Sequence, residues 1–346
     1  MQIPVDVTFH PSWWHKNANV AFNRDFFENV DYRLEADVRM RRVLFEKFGD
    51  LGLGEEYPKP RPIIGSDLIA SGFLHSAILG CQVRYSDENP PEVICMNLDD
   101  DGVMNLTTPR LDESPIWRDL QSQIDRLLSE FGYVMPCVNL MGVQNIALDI
   151  RGSGLYIDYF ENPELARRLL SLCAALSVEI GRRLRSLSKK VSWGVTAITK
   201  QTAPDVYLTS NCTVEMVSQD VYEEFLLEYD VILAKEFQPF GIHHCGQTME
   251  HVAEGYKKAG KLAFAEVGAF SDIGYVRKCL PDVYLNARYS PAKLTAVSRG
   301  ELQSDISQIM EAAKPLNLLS ISCVGIDASV SDEKVSDFMK ICREFE

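Results

Sequence analysis

From Ile116 to the end of the chain, apolar residues recur three and four positions apart in long stretches and crowd into short runs between them. The first pattern puts apolar side chains on one helical face, and the second fits strands buried on both sides. Helices are predicted at Trp117–Phe131, Pro163–Leu187, Ser218–Phe237, Thr248–Lys258, Gly300–Ala313 and Ser331–Phe345. Strands are predicted at Val134–Leu140, Ser192–Ile198, Val206–Leu208, Gly241–His244, Leu262–Val267, Val283–Ala287 and Leu318–Val324. Ser218 and Ser331 stand where helix N-caps belong. Strand, loop, helix alternation implies a parallel sheet, because parallel neighbours need a long crossover. With one more strand near the start of the chain, these units fit a (β/α)8 TIM barrel. A doubly wound open sheet is the competing arrangement, but no Gly-x-Gly-x-x-Gly follows an early strand.

Residues 1–116 lack this rhythm and are rich in aromatics and prolines. Tyr32 to Phe48 reads as a helix, and Gln82–Arg84 with Val93–Met96 as a hairpin around the polar segment Asp87 to Pro91. The expected organisation is a single (β/α)8 barrel domain over residues 1–346, with 1–116 as an elaborated N-terminal region packed on the barrel. A length of 346 residues suits one such domain.

The hydrophobic share of 46% and charged share of 24% are those of a soluble globular protein. No uncharged apolar stretch approaches 18 residues and no signal peptide is apparent, so neither a membrane span nor secretion is expected. Nine cysteines scattered without a disulfide-like spacing then imply a reducing, cytoplasmic setting. A net charge of −14 excludes nucleic acid as a partner. The basic cluster Arg182, Arg183, Arg185, Lys189 and Lys190 falls at the end of a predicted helix, where cations complement the helix dipole.

Chemistry concentrates in Gly241-Ile242-His243-His244-Cys245-Gly246, where a short apolar run ends in two imidazoles and a thiol. Strand alternation sends His243 and Cys245 to one side and His244 to the other. A later predicted strand also ends in a thiol, Cys323. Strand ends in a barrel face the active-site mouth, so His243, Cys245 and Cys323 are candidate metal ligands. Two thiolates and an imidazole suit zinc, and three protein ligands leave the open position of a catalytic site. The competing reading is a buried histidine pair with two incidental core cysteines, and His244 itself reads as a satisfied core residue. Glu266, at the end of the next strand, is a candidate fourth ligand or catalytic proton carrier. Asn211, Asn286 and Tyr289 are candidate substrate contacts at other strand ends. Cys212 and Asp327 sit at strand ends too, and any of these five also suits loop capping.

On these residues the chain resembles the uroporphyrinogen decarboxylase-like superfamily, and within it the zinc-dependent, corrinoid-linked methyltransferases of the methylcobamide:coenzyme M methyltransferase type. The likeness rests on the strand-end His-x-Cys-Gly at His243–Gly246 and on Cys323-Val324-Gly325-Ile326, with one residue inserted relative to that family's Cys-Gly-Ile. Weaker echoes are Gly142 to Ala147, Asn162-Pro163, Val217 to Phe225 and Asn286 to Pro291. The likeness spans roughly residues 130–346. The N-terminal hundred residues depart from the pattern and lack the Arg-Gln-Ala-Gly stretch of true uroporphyrinogen decarboxylases.

The resemblance implies an enzyme of anaerobic one-carbon metabolism. It would be a zinc methyltransferase moving a methyl group between a small methylated substrate or thiol and the cobalt of a corrinoid carried by a partner protein. One alternative is an O-demethylase component acting on methoxylated aromatics, with Trp13, Trp14, Phe22, Phe26 and Phe27 lining its pocket unless they plug the barrel bottom. The others are a metal-independent decarboxylase-like lyase and a non-catalytic relative that binds the corrinoid protein.

Overall fold

A computed structural model of the protein describes residues 3–188 and 206–344. The strand predicted at Ser192–Ile198 lies outside the described residues. The strands are β1 (Val5–Phe9), β2 (Ile63–Gly65), β3 (Gln82–Arg84), β4 (Glu92–Ile94), β5 (Met135–Cys137), β6 (Tyr207–Ser210), β7 (Phe240–His243), β8 (Leu262–Val267), β9 (Tyr284–Tyr289) and β10 (Leu319–Ile326). A six-stranded parallel sheet runs in the order β1-β10-β9-β8-β7-β6. β2 and β5 form a separate parallel pair, and β3 and β4 the expected antiparallel hairpin. A single parallel bridge from Met141 to Ser210 connects the stretch after β5 to β6.

The parallel sheet therefore curls as a half-barrel, with the first strand of the chain paired to the last. Among the described residues the ladders trace this half-barrel, and none joins β1 to β2 as the closed eight-stranded ring expected from the sequence requires. β2 is only three residues long, and its ladder is the one to β5, from Ile63–Met135 to Gly65–Cys137. The architecture is a mixed α/β fold around a curled parallel sheet.

Local chemistry explains the helix limits. In Pro115–Phe131 the Ser114 side chain accepts from the Trp117 amide and Pro115 fills the first turn, where an N–H has no helical partner. Gly132 ends it in the left-handed region at φ 76°. The helix predicted at Ser218–Phe237 spans residues 219–236 and is interrupted by a π turn at Tyr222–Leu226. The larger cluster of buried apolar residues extends from Ile3 to Cys342, so N-terminal and C-terminal residues share it. Trp13, Trp14, Phe22 and Phe26 are buried within it; Trp13 stacks on Phe9 at the end of β1, with ring centroids 3.9 Å apart. Among the described residues no helix is long and apolar enough to cross a membrane.

Candidate metal centre

β6 and β7 lie side by side in register, Ser210 beside His243. Both end here, and the turns that follow bring Cys212 and Cys245 beside His243. The ligating atoms of Cys212, His243 and Cys245 all lie within 4.8 Å of one another. Two close backbone approaches hold these turns. Gly142 donates its amide to the Ser210 carbonyl at 3.1 Å, and a Cβ on Gly142 would stand 2.2 Å from that same oxygen. A Cβ on Gly268 would stand 2.1 Å from the Gly246 carbonyl, so only glycine lets the segment after β8 cover the turn that carries Cys245. Asn145 completes the support: its amide donates to the Ser210 carbonyl at 2.9 Å, and its oxygen accepts from both the amide and the hydroxyl of Thr213.

The buried Glu266, level with His243 on β8, hydrogen-bonds the His243 Nδ1. That leaves Nε2 as the nitrogen available to a metal, the arrangement by which carboxylates orient metal-binding imidazoles. Arg288 on β9 continues the line, its Nε 3.5 Å from Glu266. The electrostatics follow from this row. Burial alone would depress His243, but the Glu266 and Cys245 charges outweigh it and raise its pKa to about 9. Burial pushes Glu266 up, yet His243 and Arg288 hold it below the usual carboxylate range. Cys245 is held well below an ordinary thiol by the hydrogen bond from Cys212 and by the charges of His243 and Arg288. Cys212, giving that hydrogen bond and losing water, is pushed well above. The pair thus shares one proton, with the negative charge on Cys245.

Two thiol groups and an imidazole backed by a carboxylate form a three-residue donor set suited to zinc. Glu266 is not itself in the group, since its carboxylate is turned to His243 and Arg288.

Cys323, expected as the third ligand, is not in the group either, and Cys212 stands in its place. The reason is strand parity. Asn286 pairs with Ser320, donates to its hydroxyl at 2.8 Å and accepts from Ser322 at 2.6 Å, so Ser320 and Ser322 face one side of the sheet. Cys323, the next residue, points to the other. There it is in register with Tyr289 and electrostatically close to Cys342 of the helix Asp332–Arg343. Burial pushes the Cys323 thiol up to about 12.

The remaining candidates are placed as follows. Asn211 donates to the buried Asp230 at 2.8 Å, which also accepts from Tyr222, so its amide is committed below the site. Asn286 is buried and its amide is used by the two serines. Tyr289 donates to Asp305 at 2.7 Å and packs on Phe338 on the helix-covered side. His244 is fully paired, with Tyr256 hydroxyl at Nδ1 (2.7 Å) and the Thr248 carbonyl at Nε2 (2.9 Å). Arg288 was not singled out from the sequence. Its signal was there in the alternation of β9, which puts Asn286 and Arg288 on the side opposite Leu285, Ala287 and Tyr289.

No protein-family model and no curated protein matches the chain. Solved structures do resemble it in fold. A methyltransferase from Methanosarcina mazei aligns with a TM-score of 0.67 at 13% identity, covering 99% of this chain and 94% of that one. A B12-independent methionine synthase from Shewanella sp. W3-18-1 aligns at a TM-score of 0.48 and 9% identity, covering 99% and 96%. At 13% identity the first likeness establishes the fold alone.

Proposed function

We propose that the chain is a zinc-dependent methyltransferase that moves a methyl group between a small methylated compound or thiol and the cobalt of a corrinoid held by a partner protein. The observation that carries this reading is the Cys212–His243–Cys245 group at the ends of adjacent parallel strands, where α/β folds of this kind place their active sites. The fold shared with a protein described as a methyltransferase supports it. Cys212 and Cys245 would hold the ion through sulfur and His243 through Nε2. Bound there, zinc supplies a Lewis acid that draws a thiol into its anionic, nucleophilic form.

The chain's own residues supply the rest. Glu266 fixes the tautomer and orientation of His243. Arg288, with its Nε 3.5 Å from Glu266, adds a second positive partner to that buried carboxylate beside His243. Both thiols come from the turns after β6 and β7, so an ion held by them would lie at the end of the sheet.

Metal analysis of the purified protein tests the reading. One zinc per chain is expected, with Cys212→Ala and Cys245→Ala losing it together with methyl transfer, and Cys323→Ala retaining both. Full zinc content in Cys212→Ala, or its loss in Cys323→Ala, would overturn the ligand set. Transfer is read from the absorbance change between cobalt(I) and methylcobalt in a corrinoid protein, with methylated thiols, amines and aryl ethers offered in turn.

A further inference from the structure

A second cavity opens at the ends of neighbouring strands of the same fold. It holds about 550 Å3, the size of a small-molecule site, and its floor includes Gly65 and Cys137, the last residues of β2 and β5. Asn139 in its wall accepts from the Ser210 hydroxyl at 3.0 Å, and Ser210 is the register partner of His243, so the cavity lies beside the metal group.

Three aromatic rings line it. Phe27 and Phe73 meet edge to face at 5.3 Å between centroids, as do Phe73 and Tyr85 at 5.9 Å, while Phe27 and Tyr85 are tilted by 39° at 5.6 Å. A ring face open to such a cavity attracts a cation more than a neutral group, and the Tyr85 face already holds one. Two carboxylates, Glu28 and Asp119, line the same cavity against one guanidinium, Arg24. Burial, and then the negative charge of Glu28, pushes the Tyr85 hydroxyl up to about 12.

Arg24 indicates what the cluster accepts. Its guanidinium carbon sits 5.1 Å from the Tyr85 ring centroid, and its Nη1 lies 2.9 Å from Glu28. A cation of this chain thus already uses one ring face and one carboxylate. Its side chain is two-thirds exposed, so it can leave without disturbing the core. A methylated onium centre has the same charge, fits a ring-walled space better than a hydrated ammonium, and sheds less water on entering.

We propose that this cavity binds the methylated cationic head of a small onium compound, a quaternary ammonium or a sulfonium. Calling that compound the methyl-transfer substrate rests on the proposed function; the binding site itself does not.

Titration calorimetry on the full chain tests it, with choline and tetramethylammonium as probes and 3,3-dimethylbutan-1-ol and anisole as uncharged counterparts. Choline is expected to bind at least about tenfold more tightly than its uncharged isostere, the scale of a desolvated cation–ring contact. Phe73→Leu and Asp119→Asn should each weaken choline by about three- to tenfold. Arg24→Gln should tighten it severalfold, because the internal cation no longer competes. The Arg24 side chain is exposed, so that variant reads binding without a folding defect. Equal affinity for choline and its isostere, preference for anisole, or weaker choline binding in Arg24→Gln would overturn the proposal. Zinc content is measured on the same samples. Choline binding without zinc would leave this site standing and remove the methyl-transfer reading, whereas zinc without choline binding would do the reverse.

Discussion

His75 is completely buried on the short helix Leu74–Ile78, and burial lowers its pKa from 6.5 to about 4. The folded chain therefore holds it neutral and binds its proton less readily than the unfolded chain does. Stability from this group is present above about pH 6.5 and is lost as the pH falls toward 4. Over that window it amounts to about 3 kcal/mol. His75→Leu should flatten the fall in stability between pH 6.5 and 4.5, read from urea unfolding at several pH values. His244, also lowered to about 4, keeps a share of the slope. Unchanged slopes in the variant would show that His75 does not carry the acid sensitivity. At this same scale the sequence was partly legible. His243 and Cys245 were recognisable as an imidazole and a thiol two positions apart where an apolar run ends, although Cys245 comes from the turn after β7 and not from the strand. Cys212 was named only among loop-capping candidates, because nothing in a lone strand-end thiol says which neighbouring strand it faces.

Arg33 shows how one side chain joins several elements. It lies fully buried on the helix Val30–Phe48 and donates to the carbonyls of Ile63 (3.0 Å), Phe26 (3.3 Å) and Phe27 (3.0 Å), and to the Gln123 side chain (2.8 Å). These bonds tie the short helix Arg24–Glu28, β2 and the helix Pro115–Phe131 together, and they hold Phe27, whose ring lines the onium cavity. Arg33→Met keeps the volume of the stem but leaves those acceptors unpaired away from water. A loss of about 3–5 kcal/mol is expected in urea unfolding, from several buried acceptors left unpaired at about 1–3 kcal/mol each. A loss below about 1 kcal/mol would mean that water or repacking satisfies them. Most helices and several strands in the regular part of the chain were legible at this scale, with Leu262–Val267 matching to the residue. The π turn at Tyr222–Leu226 was not. It is accompanied by the Tyr222 bond to Asp230, eight residues on, a contact that periodicity cannot register.

The whole molecule depends on its first strand. β1 pairs with β10 from Val5–Ile321 to Phe9–Ile326, and all five of its residues are buried. Deleting residues 1–9 removes that ladder and uncovers one edge of β10 along with core residues such as Val7 and Phe9. The truncated chain is expected to lose cooperative thermal unfolding and to be recovered mainly as aggregate, since an exposed apolar edge pairs with other chains. Soluble truncated protein with an unchanged melting curve would contradict this.

The sequence by itself determined the alternation of helices and strands, the parallel α/β class and the strand end that carries His243 and Cys245. Each of these is written in local periodicity, which a linear chain records directly. The tertiary structure decided what depends on neighbours far apart in the chain. It placed Cys212 rather than Cys323 beside that pair, because the register of β10 against β9 turns Cys323 to the helix side. It also left the sheet a half-barrel and gathered Phe27, Phe73 and Tyr85 around one cavity. Register and packing compare strands with one another, and a one-residue difference in pairing sends a side chain to the opposite face.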